Sequence, residues 1–166
     1  DQYIMNGGKV LWFIDAVSFS FDELSEMGVS PIIDKNLNLS DMLFCYGIRV
    51  NPILLQDVQC LQMPINVSGG PNPQYESMPW FYSPLLLPNP MHAISRNITQ
   101  VKADFCSSID FISGNDAVSK TILLTTSTST HQQTIPSMID LREMPNENDS
   151  EYFNKSFIPV AAILEG

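Results

Sequence analysis

Five consecutive apolar residues, Val10 to Ile14, follow directly on Gly7-Gly8-Lys9 and constrain the fold more than any other stretch. An unbroken apolar run of strand length is the pattern of a strand buried on both faces. Such a strand belongs in the middle of a parallel sheet, with helices packed on either side. Just upstream, Tyr3, Ile4 and Met5 are apolar without strand alternation and read as the end of a helix. Gly7-Gly8 supplies the residue without a Cβ at which a helix closes in a left-handed conformation. Asp15 then falls at the carboxyl end of the expected strand, where open α/β sheets place their ligands. The prediction is an α/β fold: a mainly parallel central sheet with flanking helices.

The C-terminal half reads as β-rich. Lys120 to Thr126, Ile135 to Leu141 and Ile158 to Leu164 are strand candidates, and Val101 to Ile112 contributes further β pattern. Ser127 to Gln133 reads as a polar loop, and Gly69-Gly70-Pro71-Asn72-Pro73 as another. Ser40 to Tyr46 is the best-signalled helix, with Ser40 as its cap, Leu39 and Phe44 as a hydrophobic staple, and Gly47 as its stop. Asp22 to Met27 reads as a helical turn closed by Gly28. Ile53 to Val58 is a strand. The prolines at 79, 84, 88 and 90 confine the apolar segment around Trp80-Phe81-Tyr82 to an edge strand or short extended pieces.

At 166 residues the chain suits a single domain spanning residues 1–166. Eight Lys+Arg against eighteen Asp+Glu give a formal charge of −10, which repels phosphate backbones and argues against nucleic-acid binding. Cys45, Cys60 and Cys106 are odd in number and widely spaced, which excludes a dense disulfide framework. Any pair of them can bridge in an oxidising compartment. Each lies among apolar neighbours, so a small buried thiol is the expected role, with Cys45 a helical core residue. No run reaches the ~20 apolar residues of a membrane span. The sequence opens inside an apparent helix and lacks an initiator Met. It is therefore expected to be a piece of a larger protein, its membrane or targeting segment lying outside.

Signatures of catalysis are missing: there is no Gly-x-Ser-x-Gly elbow and no phosphate loop with its Lys-Ser/Thr. The two histidines, His92 and His131, have no neighbouring Cys or His, so neither a metal site nor a cofactor is expected. Three residues remain as ligand-binding candidates. Asp15 either anchors a ligand hydroxyl or caps the following turn. Trp80 and Tyr82 either stack on the apolar face of a sugar ring or pack in the core.

Five segments carry a resemblance to a known family: residues 2–15, 41–51, 56–60, 78–82 and 159–166. Gln2-Tyr-Ile-Met-Asn-Gly-Gly-Lys-Val-Leu-Trp-Phe-Ile-Asp, Asp41-Met-Leu-Phe-Cys-Tyr-Gly-Ile-Arg-Val-Asn and Pro159-Val-Ala-Ala-Ile-Leu-Glu-Gly are the longest, with Gln56-Asp-Val-Gln-Cys and Met78-Pro-Trp-Phe-Tyr beside them. Together they resemble the auxiliary subunit, sometimes labelled substrate-binding, of the gliding-motility ABC transporter of Bacteroidetes. The resemblance implies an amidotransferase-like α/β domain without the amidotransferase nucleophile. It further implies an extracytoplasmic (periplasmic) location, a membrane tether outside these residues, and permease and ATPase subunits as partners. A non-enzymatic accessory or substrate-binding domain is the function expected. A carbohydrate-binding domain and a degenerate hydrolase-like domain are the alternatives, with a small molecule or glycan as ligand.

Overall fold

A computed structural model describes residues 2–66, 68, 72, 74–113 and 117–166. The loop expected at 69–73 therefore lies, apart from Asn72, outside the described residues. The N-terminal part runs α1 (Gln2–Met5), β1 (Val17–Ser18), α2 (Phe21–Met27), β2 (Val29–Asp34) and α3 (Ser40–Cys45). Strands β3 (Ile48–Val50), β4 (Ile53–Asp57), β5 (Cys60–Asn66) and β6 (Tyr75–Pro88) follow. The rest is β7 (Val101–Lys102), β8 (Ile109–Phe111), β9 (Ser119–Thr125), β10 (Thr130–Thr134), β11 (Ser137–Asp140) and β12 (Pro159–Glu165).

These strands form four sheets, and every described pairing is antiparallel. One sheet is ordered β1-β2-β11; β10 pairs with β4 and β3 with β8. The largest is ordered β12-β9-β6-β5, with β7 also on β6. The expectation of an α/β fold with a mainly parallel, amidotransferase-like sheet is overturned: strand accounts for 41% and helix for 11%. Helix length gives the physical reason. A parallel pair needs a crossover of a dozen or more residues, usually a helix. The described helices have 4, 7 and 6 residues, too few for that, and the strands return antiparallel through short connections.

Val10 to Ile14 accordingly forms no strand, although the helix end and the turn before it are as expected. Gly7 takes φ 82° and its N–H donates to the Ile4 carbonyl at 2.9 Å. α2 is likewise as expected, with Gly28 at φ 73° donating to Leu24 O at 3.0 Å. α3 starts differently: Leu39 is the cap position and makes no side-chain bond, while Ser40 is already helical. Cys45, expected in the core, is exposed at the end of α3.

β6 is the spine of the molecule and is not confined to an edge by its prolines. It changes partner along its length: Tyr75 to Trp80 pair with β5, Leu85-Leu86 with β7, and Leu87-Pro88 with β9. Pro84 sits at the change-over, opposite Cys60, where the register slips and residues 81–83 bulge. A missing N–H costs little at a bulge, and the Pro84 carbonyl still accepts from Ala103 N at 3.0 Å. Within the bulge, Phe81 and Tyr82 serve two different apolar clusters. Tyr82 joins Val17, Leu24, Ile32, Leu54 and Ile139, whereas Phe81 joins Cys60 and Phe153. Among the described residues no helix is long and apolar enough to cross a membrane.

Candidate functional site

A cleft of about 400 Å³ opens beside β1, lined by Asp15, Val17, Ser18, Phe19, Lys35, Asp104 and Phe105. Three segments meet there. Pairing of β1 with β2 sets Val17 against Asp34, and Lys35 N–H donates to the Ala16 carbonyl at 3.0 Å. That register places Lys35 Nζ 3.9 Å from the Asp15 carboxylate. Both side chains are largely exposed, so the pair contributes little to stability and is free to exchange partners. From the third segment, Phe105 N–H donates to the Tyr82 carbonyl at 2.8 Å, which fixes the chain leaving β7 against the β6 bulge.

The wall between cleft and core is aromatic. Phe105 stacks on Phe19 with ring centroids 3.9 Å apart, and lies nearly parallel to Tyr82 at 6.0 Å. Trp80 meets Phe105 edge-on at 6.2 Å and Tyr82 at 5.1 Å. Phe105 holds φ 50°, a left-handed conformation that is strained for a side chain of its size. Its amide bond to Tyr82 and its three ring partners hold it there. Asp104 beside it is the polar edge of the wall, with Lys102 Nζ at 3.0 Å and a short hydrogen bond from the Ser83 hydroxyl.

Of the residues singled out from sequence, Asp15 lines this cleft. Trp80 is half-buried and Tyr82 is 4% exposed; both lie in the first apolar cluster, behind Phe105. Burial pushes the Tyr82 hydroxyl well above its ordinary pKa, the nearby Tyr152 and Asp140 adding to it. Phe19, Lys35, Asp104 and Phe105 were not singled out from sequence. The one local hint was the brief alternation Ser18-Phe19-Ser20-Phe21; in the fold Phe19 meets Phe21 edge-on at 6.5 Å and lines the cleft.

A second polar group lies inside the molecule. Asp57 is fully buried at the end of β4, and its carboxylate accepts four hydrogen bonds. These come from Gln59 N and Ser127 N, each at 2.7 Å, from Ser127 Oγ at 2.6 Å and from Thr130 Oγ1 at 3.0 Å. Nearby, Tyr152 Oη donates to Gln56 Oε1 at 2.8 Å, and Gln56 Nε2 donates to Gln133 Oε1 at 2.8 Å. The His131 ring stacks on Tyr152 at 3.8 Å. With its acceptor positions occupied, Asp57 ties β4 to the loop before β10 and is not presented to a ligand. Among the described residues no group of three or more His, Cys, Asp or Glu side chains converges as a metal site.

The model of a protein family described as an ABC-type uncharacterized transport system, an auxiliary component, matches residues 1–166. No curated protein and no solved structure matches the chain.

Proposed function

The chain belongs to this family of ABC-type transport-system auxiliary components, matched along residues 1–166, and on that premise we propose that it captures a ligand for the transporter. The site of capture is the cleft at Asp15. In this reading the domain is extracytoplasmic, held at the periplasmic face of the inner membrane by a tether. It hands its ligand to, or receives it from, permease and ATPase subunits, in the system that serves gliding motility. The five sequence segments that resemble the gliding-motility subunit support that finer assignment.

The observation that carries the capture role is the cleft itself. A volume of about 400 Å³ lies within the usual range for small-molecule sites, about 300–1,000 Å³. It combines an aromatic wall with an exchangeable ion pair, the mixture that orients a small polar ligand. Its lining residues are Asp15, Val17, Ser18, Phe19, Lys35, Asp104 and Phe105, with no cysteine or histidine among them. A sugar-stacking platform needs an open ring face; Tyr82 is buried and Phe105 is already engaged by three aromatic rings.

Two measurements test the reading. A thermal-shift screen with small polar molecules should find one that stabilises the fold. A ligand at about a hundred times its dissociation constant adds about 2.7 kcal/mol, and Phe105→Ala should abolish that shift. The full-length protein should co-purify with permease and ATPase subunits from detergent-solubilised membranes. Absence of both results would overturn the assignment.

A further inference from the structure

Within the run Val10 to Ile14, Ile14 is half-buried, and the other four side chains are exposed and line neither the core nor the cleft. Leu11 is 80% and Phe13 90% exposed, with Val10 and Trp12 at 45% and 44%. None of the described backbone hydrogen bonds involves residues 9–15; the ladder begins at Ala16, which accepts from Lys35 N–H. Consecutive apolar side chains on a segment that lies outside every helix and strand, with no described backbone hydrogen bond, leave amides open to pairing with another strand.

The flanking charges say which strand fits. In Lys9-Val10-Leu11-Trp12-Phe13-Ile14-Asp15 a cation and an anion stand equally far from Trp12. Laid antiparallel on its own copy with Trp12 opposite Trp12, the segment sets Lys9 against Asp15 and Val10 against Ile14. Leu11 then meets Phe13, and each of these three pairs occurs twice. Side chains alternate between faces, so Leu11, Phe13 and both charged ends share one face. Opposite charges and apolar pairs directly across a strand pair are stabilising, whereas parallel in-register stacking would set like charges together. Asp15 can turn to this role because its side chain is 79% exposed and its bond to Lys35 is long, 3.9 Å.

We propose that a second copy of this chain pairs with the first through residues 9–15, as a two-fold-symmetric antiparallel strand pair. The interface is short, so the dimer is reversible and concentration-dependent. Two copies of net charge −10 repel each other, and about 0.15 M salt confines that repulsion to about 8 Å.

Sedimentation equilibrium of the chain at about 0.15 M salt, from about 1 to about 500 µM, reads the proposal directly. A monomer–dimer equilibrium is expected. Lys9→Asp and Asp15→Lys should each weaken it about tenfold or more, and the double reversal should return it to within about threefold of the parent. The altered side chains face solvent, so far-UV circular dichroism melts of all three variants should match the parent. Lys9→Asp should also keep the ligand-induced thermal shift, which separates this test from that of the cleft. A monomer at every concentration would mean that a different chain covers the segment, and would overturn the proposal. So would a dimer indifferent to the single reversals, or a double reversal that fails to restore pairing.

Discussion

Among the described residues, Asp57 is the buried polar residue on whose side chain the most hydrogen bonds converge. Its carboxylate is fully buried and accepts from two backbone amides and two hydroxyls. Asp57→Ala leaves the Ser127 amide and the Ser127 and Thr130 hydroxyls without their acceptor, and should cost about 3 kcal/mol or more. Asp57→Asn keeps one acceptor oxygen and should cost about 1–2 kcal/mol. Urea denaturation gives both values, and an Asp57→Ala cost under about 1 kcal/mol would refute the staple role. Two thiols, buried Cys60 and part-buried Cys106, make stability depend on pH in the alkaline range. Burial, with a contribution from Asp57, raises the Cys60 thiol to about 11, and burial raises Cys106 to about 12. In the unfolded chain both ionise near 9.0, so above that pH the unfolded state binds fewer protons than the folded one. Stability is therefore full below pH 9 and falls as pH rises toward 11–12. Urea midpoints from pH 8 to 11 should show the decline, and Cys60→Ala with Cys106→Ala should reduce it most between pH 9 and 10, the raised Tyr82 and Tyr152 hydroxyls keeping a decline above pH 10.

Among the elements, α2 is anchored by Leu24 in the first apolar cluster and closed at both ends. The Ser20 hydroxyl accepts from Glu23 N at 3.2 Å, and Gly28 closes the helix in the left-handed region. Ser20→Ala and Gly28→Ala should each cost about 1 kcal/mol. Because the Ser20 hydroxyl and the Gly28 backbone conformation act on different turns of the helix, the double variant should cost their sum to within about 0.5 kcal/mol, as urea denaturation will show. The stop at Gly28 was readable from sequence, since a helix that must end needs a left-handed residue and Gly is the least strained one. The cap of α3 was not, because Ser40 begins a helix as readily from the first turn as from the cap position. β10 was read as a polar loop. Its side chains are polar because they serve a buried hydrogen-bond network: Gln133 bonds Gln56 and Ser137, and Thr130 bonds Asp57. Hydrophobic alternation cannot report a strand whose partners are hydrogen-bond donors and acceptors. In β6 the prolines were read as barriers, but they coincide with a change of partner that only the tertiary fold supplies.

At the level of the whole molecule, the apolar run Val10 to Ile14 misdirected the fold class for a physical reason. An apolar run reports that its side chains avoid water, not which strands or chains cover them. The cleft was only partly legible for a similar reason. Asp15 stood out beside that run, whereas Lys35, Asp104 and Phe105 have no local signature and meet only through antiparallel pairing. What unites the molecule is the bulge in β6, where adjacent Phe81 and Tyr82 serve separate clusters and Met144 packs against both. Mutations confined to different clusters should therefore add. Ile139→Val in the first should cost about 1 kcal/mol, and Phe153→Leu in the second about 1.5 kcal/mol or less. Their double variant should match the sum to within about 0.5 kcal/mol. Met144→Ala combined with either should depart from additivity by about 0.5 kcal/mol or more, because it removes a side chain that both clusters share. Unfolding should nevertheless stay a single transition, with Trp80 fluorescence (in a Trp12→Phe background) and far-UV circular dichroism giving the same urea midpoint. Separate midpoints would mean that β6 does not couple the two clusters, and that the molecule holds two independent folding units.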